Sequence, residues 1–219
     1  MKSTTPITVG AAVASDLLSV LQIPGGASLQ LAAEAVVAKV QRDAMNALCK
    51  ELRDEGFHGK IQFDEHDVDP LVEMIFQFTR AVADGTAKAN LQLLAQVIAG
   101  LKKGGQMSPD AFRKWRKVLE DLTTDELILV GCAYRVRKAL EGGKANTFWR
   151  DLKEEMFSLG YSRDEVMMLC ASVSRTGLVF PLSALSSTTY MDSRSLIELG
   201  QLADLSSLRS SRGEDEKNP

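Results

Sequence analysis

The chain has 219 residues, 45 % hydrophobic and 25 % charged, which is enough apolar content for one large core or two small ones at ordinary polarity. Its formal net charge of −3 gives no general attraction to nucleic acid or to anionic lipid. Three scattered cysteines, Cys49, Cys132 and Cys170, neither build a disulfide framework nor keep zinc-ligand spacing. Reduced core thiols in a cytoplasmic protein are therefore expected.

Ile7 to Ile23 is mostly apolar and small. Lys2 is the only early basic residue and Asp16 interrupts the run, unlike a secretory h-region, and the run falls short of the ~20 apolar residues of a spanning helix. A packed helix over Val9–Gln22 is expected, with a peripheral membrane helix as the alternative. Pro24-Gly25-Gly26 stops it. A long helix over Ser28–Glu55 follows, with Leu29, Ala33, Val36, Val37, Val40, Ala44, Ala47 and Leu48 at three- and four-residue steps. Gly56 to Asp69 reads as a polar connection. Asp69-Pro70 then offers a capping oxygen before a first-turn proline. The helix Pro70–Ala83 is apolar nearly all round, the pattern of a central core element. Another helix, Thr86–Leu101, is followed by Lys102 and Lys103, which suit its C-terminal dipole, and by Gly104-Gly105.

Ser108-Pro109 opens a helix whose stripe is Phe112, Trp115 and Leu119. Thr123-Thr124-Asp125-Glu126 is a capping box starting a helix to about Leu140. Glu141-Gly142-Gly143 turns the chain into a helix carrying Phe148, Trp149, Leu152, Met156 and Leu159. A second capping box, Ser162-Arg163-Asp164-Glu165, starts a helix burying Val166, Leu169, Cys170 and Val173, ended by Gly177. Leu178–Phe180 and Thr188–Tyr190 pattern as a hairpin. Ser193 caps a last helix to about Leu205, and a polar tail from Ser206 is expected to be disordered.

The segment 123–205 resembles a winged-helix domain. The resemblance rests on the two capping boxes, the exit SRTGLVF, and Tyr190 followed by Ser193 and a closing helix ending IELGQLADL. The chain is also loosely similar to bacterial proteins that place a helical half before such a module. The expected fold is all-α: an N-terminal helical bundle (1–105), a winged-helix-like part (108–205) with one short β-hairpin, and a tail (206–219).

A winged helix implies a third helix in the major groove. Its outward face here offers Asp164, Met168, Ala171, Ser172 and Arg175, and the hairpin carries no Lys or Arg, a poor match to phosphate contact. Thirteen basic residues face fourteen acidic ones between Pro109 and Ser206, so no basic module emerges. The candidate binding patch is Arg113, Lys114, Trp115, Arg116 and Lys117, extended by Arg135, Arg137 and Lys138 if their helices pack side by side. Trp115 would then be available for stacking. The competing reading is a solvated helix flank around a core tryptophan.

His58, Asp64, Glu65, His66, Asp67 and Asp69 read as loop polarity and helix capping rather than metal ligands. The sequence has no G-x-S-x-G, no Walker A loop and no G-x-G-x-x-G. Neither catalysis nor a cofactor or metal is expected. The leading expectation is a non-enzymatic bacterial interaction or regulatory protein acting through helical surfaces, with a protein partner or a homodimer. The alternatives are a DNA-binding transcriptional regulator using the basic run, and a membrane-acting effector using the apolar N-terminus.

Overall fold

A helix can be buried on all sides only if its polar residues find partners inside the protein. Two helices meet that condition here. The computed structural model describes residues 26–53, 56–140, 147–184 and 187–209. Among them are eight α-helices: α1 (Gly26–Leu52), α2 (Val68–Ala83), α3 (Lys88–Lys103), α4 (Pro109–Leu119), α5 (Thr124–Ala139), α6 (Phe148–Ser158), α7 (Arg163–Ser174) and α8 (Arg194–Leu202). One antiparallel hairpin, β1 (Val179–Ala184) and β2 (Ser187–Asp192), lies between α7 and α8, and 3-10 turns span Glu65–Asp67 and Leu205–Ser207. The fold is mainly helical, as the periodicity requires. The proposed first helix, the turn at Glu141-Gly142-Gly143 and residues 210–219 of the expected tail lie outside the described residues, and the expected disorder does not begin at Ser206, because Leu205–Ser207 forms a 3-10 turn packed on α5.

Helix α3 is the first central element. Asn90, Leu91 and every residue from Leu93 to Leu101 are buried, and the helix packs against α1, α2, α4 and α8. Its two buried amides are satisfied. Asn90 Nδ2 donates to the carbonyls of Leu119 (2.5 Å) and Leu122 (2.8 Å), which closes the C-terminal end of α4 where intrahelical donors run out. Gln96 Nε2 donates to Glu51 Oε1 (3.3 Å), and Gln96 Oε1 accepts from the Asp204 N–H (3.0 Å). The second central element, α5, buries an unbroken run from Glu126 to Ala133 among α6, α7, α8 and the last 3-10 turn.

Helix α8 touches both α3 and α5, and a single cluster of buried apolar side chains runs from Ala44 to Leu205. The last described residues strap the second half: Arg135 donates to the carbonyls of Ser206 (3.1 Å) and Leu208 (2.8 Å). Leu208 lies so close to Gly131 that an added Cβ would meet it at 2.8 Å.

Local signals act where they stand. Ser108, Thr123, Ser162 and Ser193 cap α4, α5, α7 and α8, and the boxes at Thr123/Glu126 and Ser162/Glu165 both close. Gly160 and Gly177 take φ of 85° and 73° after α6 and α7, a conformation that a side chain disfavours. The hairpin is longer than its apolar core suggests, with Val179 opposite Asp192 and Ala184 opposite Ser187. Helix α2 begins at Val68 instead of Pro70. Asp64, not Asp69, provides the cap, accepting from His66 N–H (2.9 Å) at the head of the preceding 3-10 turn.

Two expectations are corrected. Helix α2 is not the central core element: it buries Met74, Gln77, Phe78, Ala81 and Val82 on one side only. Cys49 is exposed on α1, whereas Cys132 and Cys170 are buried, and burial pushes both of those thiols up to about 12.

The crossing of α3 and α8 supplies a test. A Cβ on Gly100 would sit 2.8 Å from the Leu202 carbonyl oxygen and 2.9 Å from its Cα, and a backbone cannot step aside as a flexible side-chain tip can. Gly100→Ala is expected to destabilise by about 1–3 kcal/mol, read as a lower urea midpoint at unchanged slope. A wild-type midpoint would show that the two helices are not in contact there.

Candidate functional site

Helix α2 carries two apolar faces. The inner one packs on α3 and α4. The outer one follows from residues four apart: Val68, Val72 and Phe76 are 54 %, 61 % and 67 % exposed, with half-buried Ile75 and Thr79 along one edge. Steps of four, with three-residue partners, are the spacing of a helix–helix seam. The all-round apolarity of α2 was thus the legible signal, and it corresponds to a second, exposed apolar face. Scattered exposed apolar residues are ordinary, but an aligned row is not.

Along the other edge of this row runs a groove of about 460 Å³ between α2 and α4. Its α4 wall is the basic run. Arg113 is ion-paired with Asp110 (3.0 Å) and reaches Glu73 on α2 (3.5 Å). Arg116 bonds Glu120 (2.9 Å) and Asp84 (3.3 Å). Lys117 lines the groove and has no ion pair among the described residues. Gln77 lies at the floor; its amide nitrogen donates weakly to Glu73 (3.5 Å) and to the Pro109 carbonyl (3.4 Å), and its buried oxygen has no partner. The cations are largely neutralised by neighbours, so the groove is polar and mixed in charge rather than a strong positive field.

The remaining candidates do not join this wall. Trp115 is buried, with the Lys114 ammonium 4.2 Å from its ring centre, so it is a core residue and not a stacking platform. Lys114 itself pairs with Glu198 on α8 (3.3 Å). Helices α4 and α5 share no extended contact. Arg135 therefore faces Glu155 on α6 (2.7 Å), Arg137 faces Asp192 on β2 (3.2 Å), and Lys138 is exposed and has no ion pair among the described residues. The eight-residue patch is thus not one surface: its cations are spread over the α2–α4 groove, α8, α6 and β2, and Trp115 lies in the core.

The polar connection is spent on structure. His58 is buried, its Nε2 2.8 Å from the Leu202 carbonyl, while His66 is exposed. Asp67 accepts a side-chain bond from Lys102, which holds its carboxyl below the usual range and raises the lysine. Among the described residues no group of three His, Cys, Asp or Glu converges as metal ligands, and no helix is long and apolar enough to cross a membrane.

Two residues of the outward face of α7, Ser172 and Arg175, are also committed. Arg175 bonds the buried carboxylate of Glu126 on α5 and the carbonyl of Asp121 (3.1 Å). The Ser172 hydroxyl donates to the same carboxylate (2.5 Å), as does the Thr123 N–H (2.8 Å). Burial would raise the Glu126 carboxyl, but these donors, led by Arg175, hold it down to about 2. Nothing in the sequence pattern links positions 126 and 175, since Glu126 reads there only as the third residue of a capping box. No family, no curated protein and no solved structure matches the chain.

A carboxyl held from its ordinary 4.5 down to about 2 stabilises the fold fully above pH 4.5, and this contribution is lost as pH falls toward 2. With Arg175 partly exposed, screening leaves about 1–2 kcal/mol of this dependence. Urea midpoints measured across that window should fall on acidification, and less steeply in Glu126→Gln. Equal slopes would locate the acid sensitivity in other carboxylates.

Proposed function

We propose that the chain is a non-enzymatic interaction protein that works by docking another protein surface on the outer face of α2. The observation that carries this reading is the row Val68, Val72 and Phe76, held exposed on a helix whose opposite side is anchored in the core. Burying a side chain of this size contributes about 1.5–3 kcal/mol, so a few such residues suffice for a contact of regulatory strength. The mixed charges of the adjoining groove suit the polar rim of an interface.

In this reading residues 123–205 form a winged-helix-like module that buttresses the N-terminal helices. The order of three helices, hairpin and helix supports that assignment. The alternative of DNA readout is less well supported, because Arg175 is engaged with Glu126 and the hairpin has no cation. The two buried unpaired thiols are in keeping with a cytoplasmic setting.

Placing a photo-cross-linking amino acid at position 76 in the producing cell tests the reading. Position 168, 69 % exposed on α7, serves as the control. Protein adducts are expected at 76, lost when Val72→Glu is added, and not at 168. Silence at 76, or equal labelling at both sites, overturns the proposal.

A further inference from the structure

Resting on that contact face, we propose that its occupant is a second copy of this chain, docked antiparallel along α2 about a two-fold axis. A self-complementary face must offer to its copy what its copy offers to it. The outer face of α2 does so along its length. Its charged flank has Asp69 near the N-terminal end and Arg80 near the C-terminal end. They are eleven residues apart, about three helical turns and roughly 16 Å, so they lie on nearly the same side of the helix.

A two-fold axis perpendicular to the helix, opposite Met74, reverses direction but keeps each flank on its own side of the seam. It sets Asp69 of each copy beside Arg80 of the other, at both ends, and Val72 beside the partner's Phe76 on both sides of the axis. The charges are available for this. Among the described residues Asp69 has no ion pair, and Arg80 has one 3.9 Å contact, with exposed Asp84. The carboxylate nearest the axis, Glu73, is already opposed by Arg113 at 3.5 Å, which relieves the repulsion between the two copies' Glu73 side chains. A parallel arrangement, about an axis along the helix, would put the two charged flanks on opposite sides of the seam and leave Asp69 and Arg80 without each other. The charge order along the row selects the antiparallel one.

The test is sedimentation of the purified full chain from about 1 to 100 µM, the range in which a seam of this modest size should assemble. Wild type is expected to move from 23.9 kDa to twice that mass. Phe76→Glu should stay monomeric with unchanged circular dichroism and Tm. Asp69→Arg should raise the dissociation constant about tenfold through two like-charge contacts, and Asp69→Arg with Arg80→Asp should restore it.

A wild-type chain that remains monomeric overturns the proposal. So does a dimer indifferent to Phe76→Glu, or a charge swap that rescues nothing. The underlying reading fails separately. A monomer whose position 76 still cross-links to a different protein removes only the second copy, whereas a monomer with a silent position 76 removes both.

Discussion

The enclosure of α3 is the constraint from which the architecture follows. A helix wrapped on four sides leaves its side-chain amides without water, and an unsatisfied buried amide costs about 1–3 kcal/mol. Asn90 and Gln96 turn that liability into connections. Asn90 closes the carbonyl end of α4, and Gln96 links Glu51 at the end of α1 to the backbone at Asp204. Glu51 passes the chain on, its other oxygen accepting the Phe57 N–H at 2.8 Å. A line of donors and acceptors therefore crosses the core from the loop after α1 to the segment after α8. The groups that most endanger the burial of α3 are the ones that position its neighbours.

The parts of this fold that could be read from sequence are those decided within a few residues. Capping serines, the two boxes and the glycines at 160 and 177 act through bonds and dihedral angles three or four positions away, and the helices start and stop where they say. Which face of a helix is buried depends on what the rest of the chain brings to it. Composition announced α2 as apolar throughout, but could not say that α3 would be enclosed and α2 left half outside. Likewise Cys49 shares the apolar spacing of α1 yet lies on its solvent side. The run at 113–117 showed its charge and not its partners, which come from Glu73, Asp84 and Glu198 at distant positions.

That pairing shapes how the surface behaves. Arg113, Arg116, Arg135, Arg137 and Arg175 each have a carboxylate within reach, so local fields are short-ranged and orient contacts more than they attract partners from afar. In the proposed docking role such a surface would recognise by shape and apolar fit, with charge setting register. The uncovered apolar row on α2 therefore weighs more in the proposed reading than the most conspicuous basic run.

The strap formed by Asp204 to Leu208 has a consequence for how the chain is made. Helix α3 is synthesised well before α8 and the strap that bonds it, so partners of its buried amides arrive more than a hundred residues later. Closing the core needs contacts more than a hundred positions apart, such as Asp204 with Gln96. Native contacts of long separation slow folding. During translation the nascent chain carries an incompletely covered central helix until residues 204–208 emerge. Incompletely packed chains of this kind are the ones that chaperones and proteases act on, so the strap is the contact that completes the covering of α3.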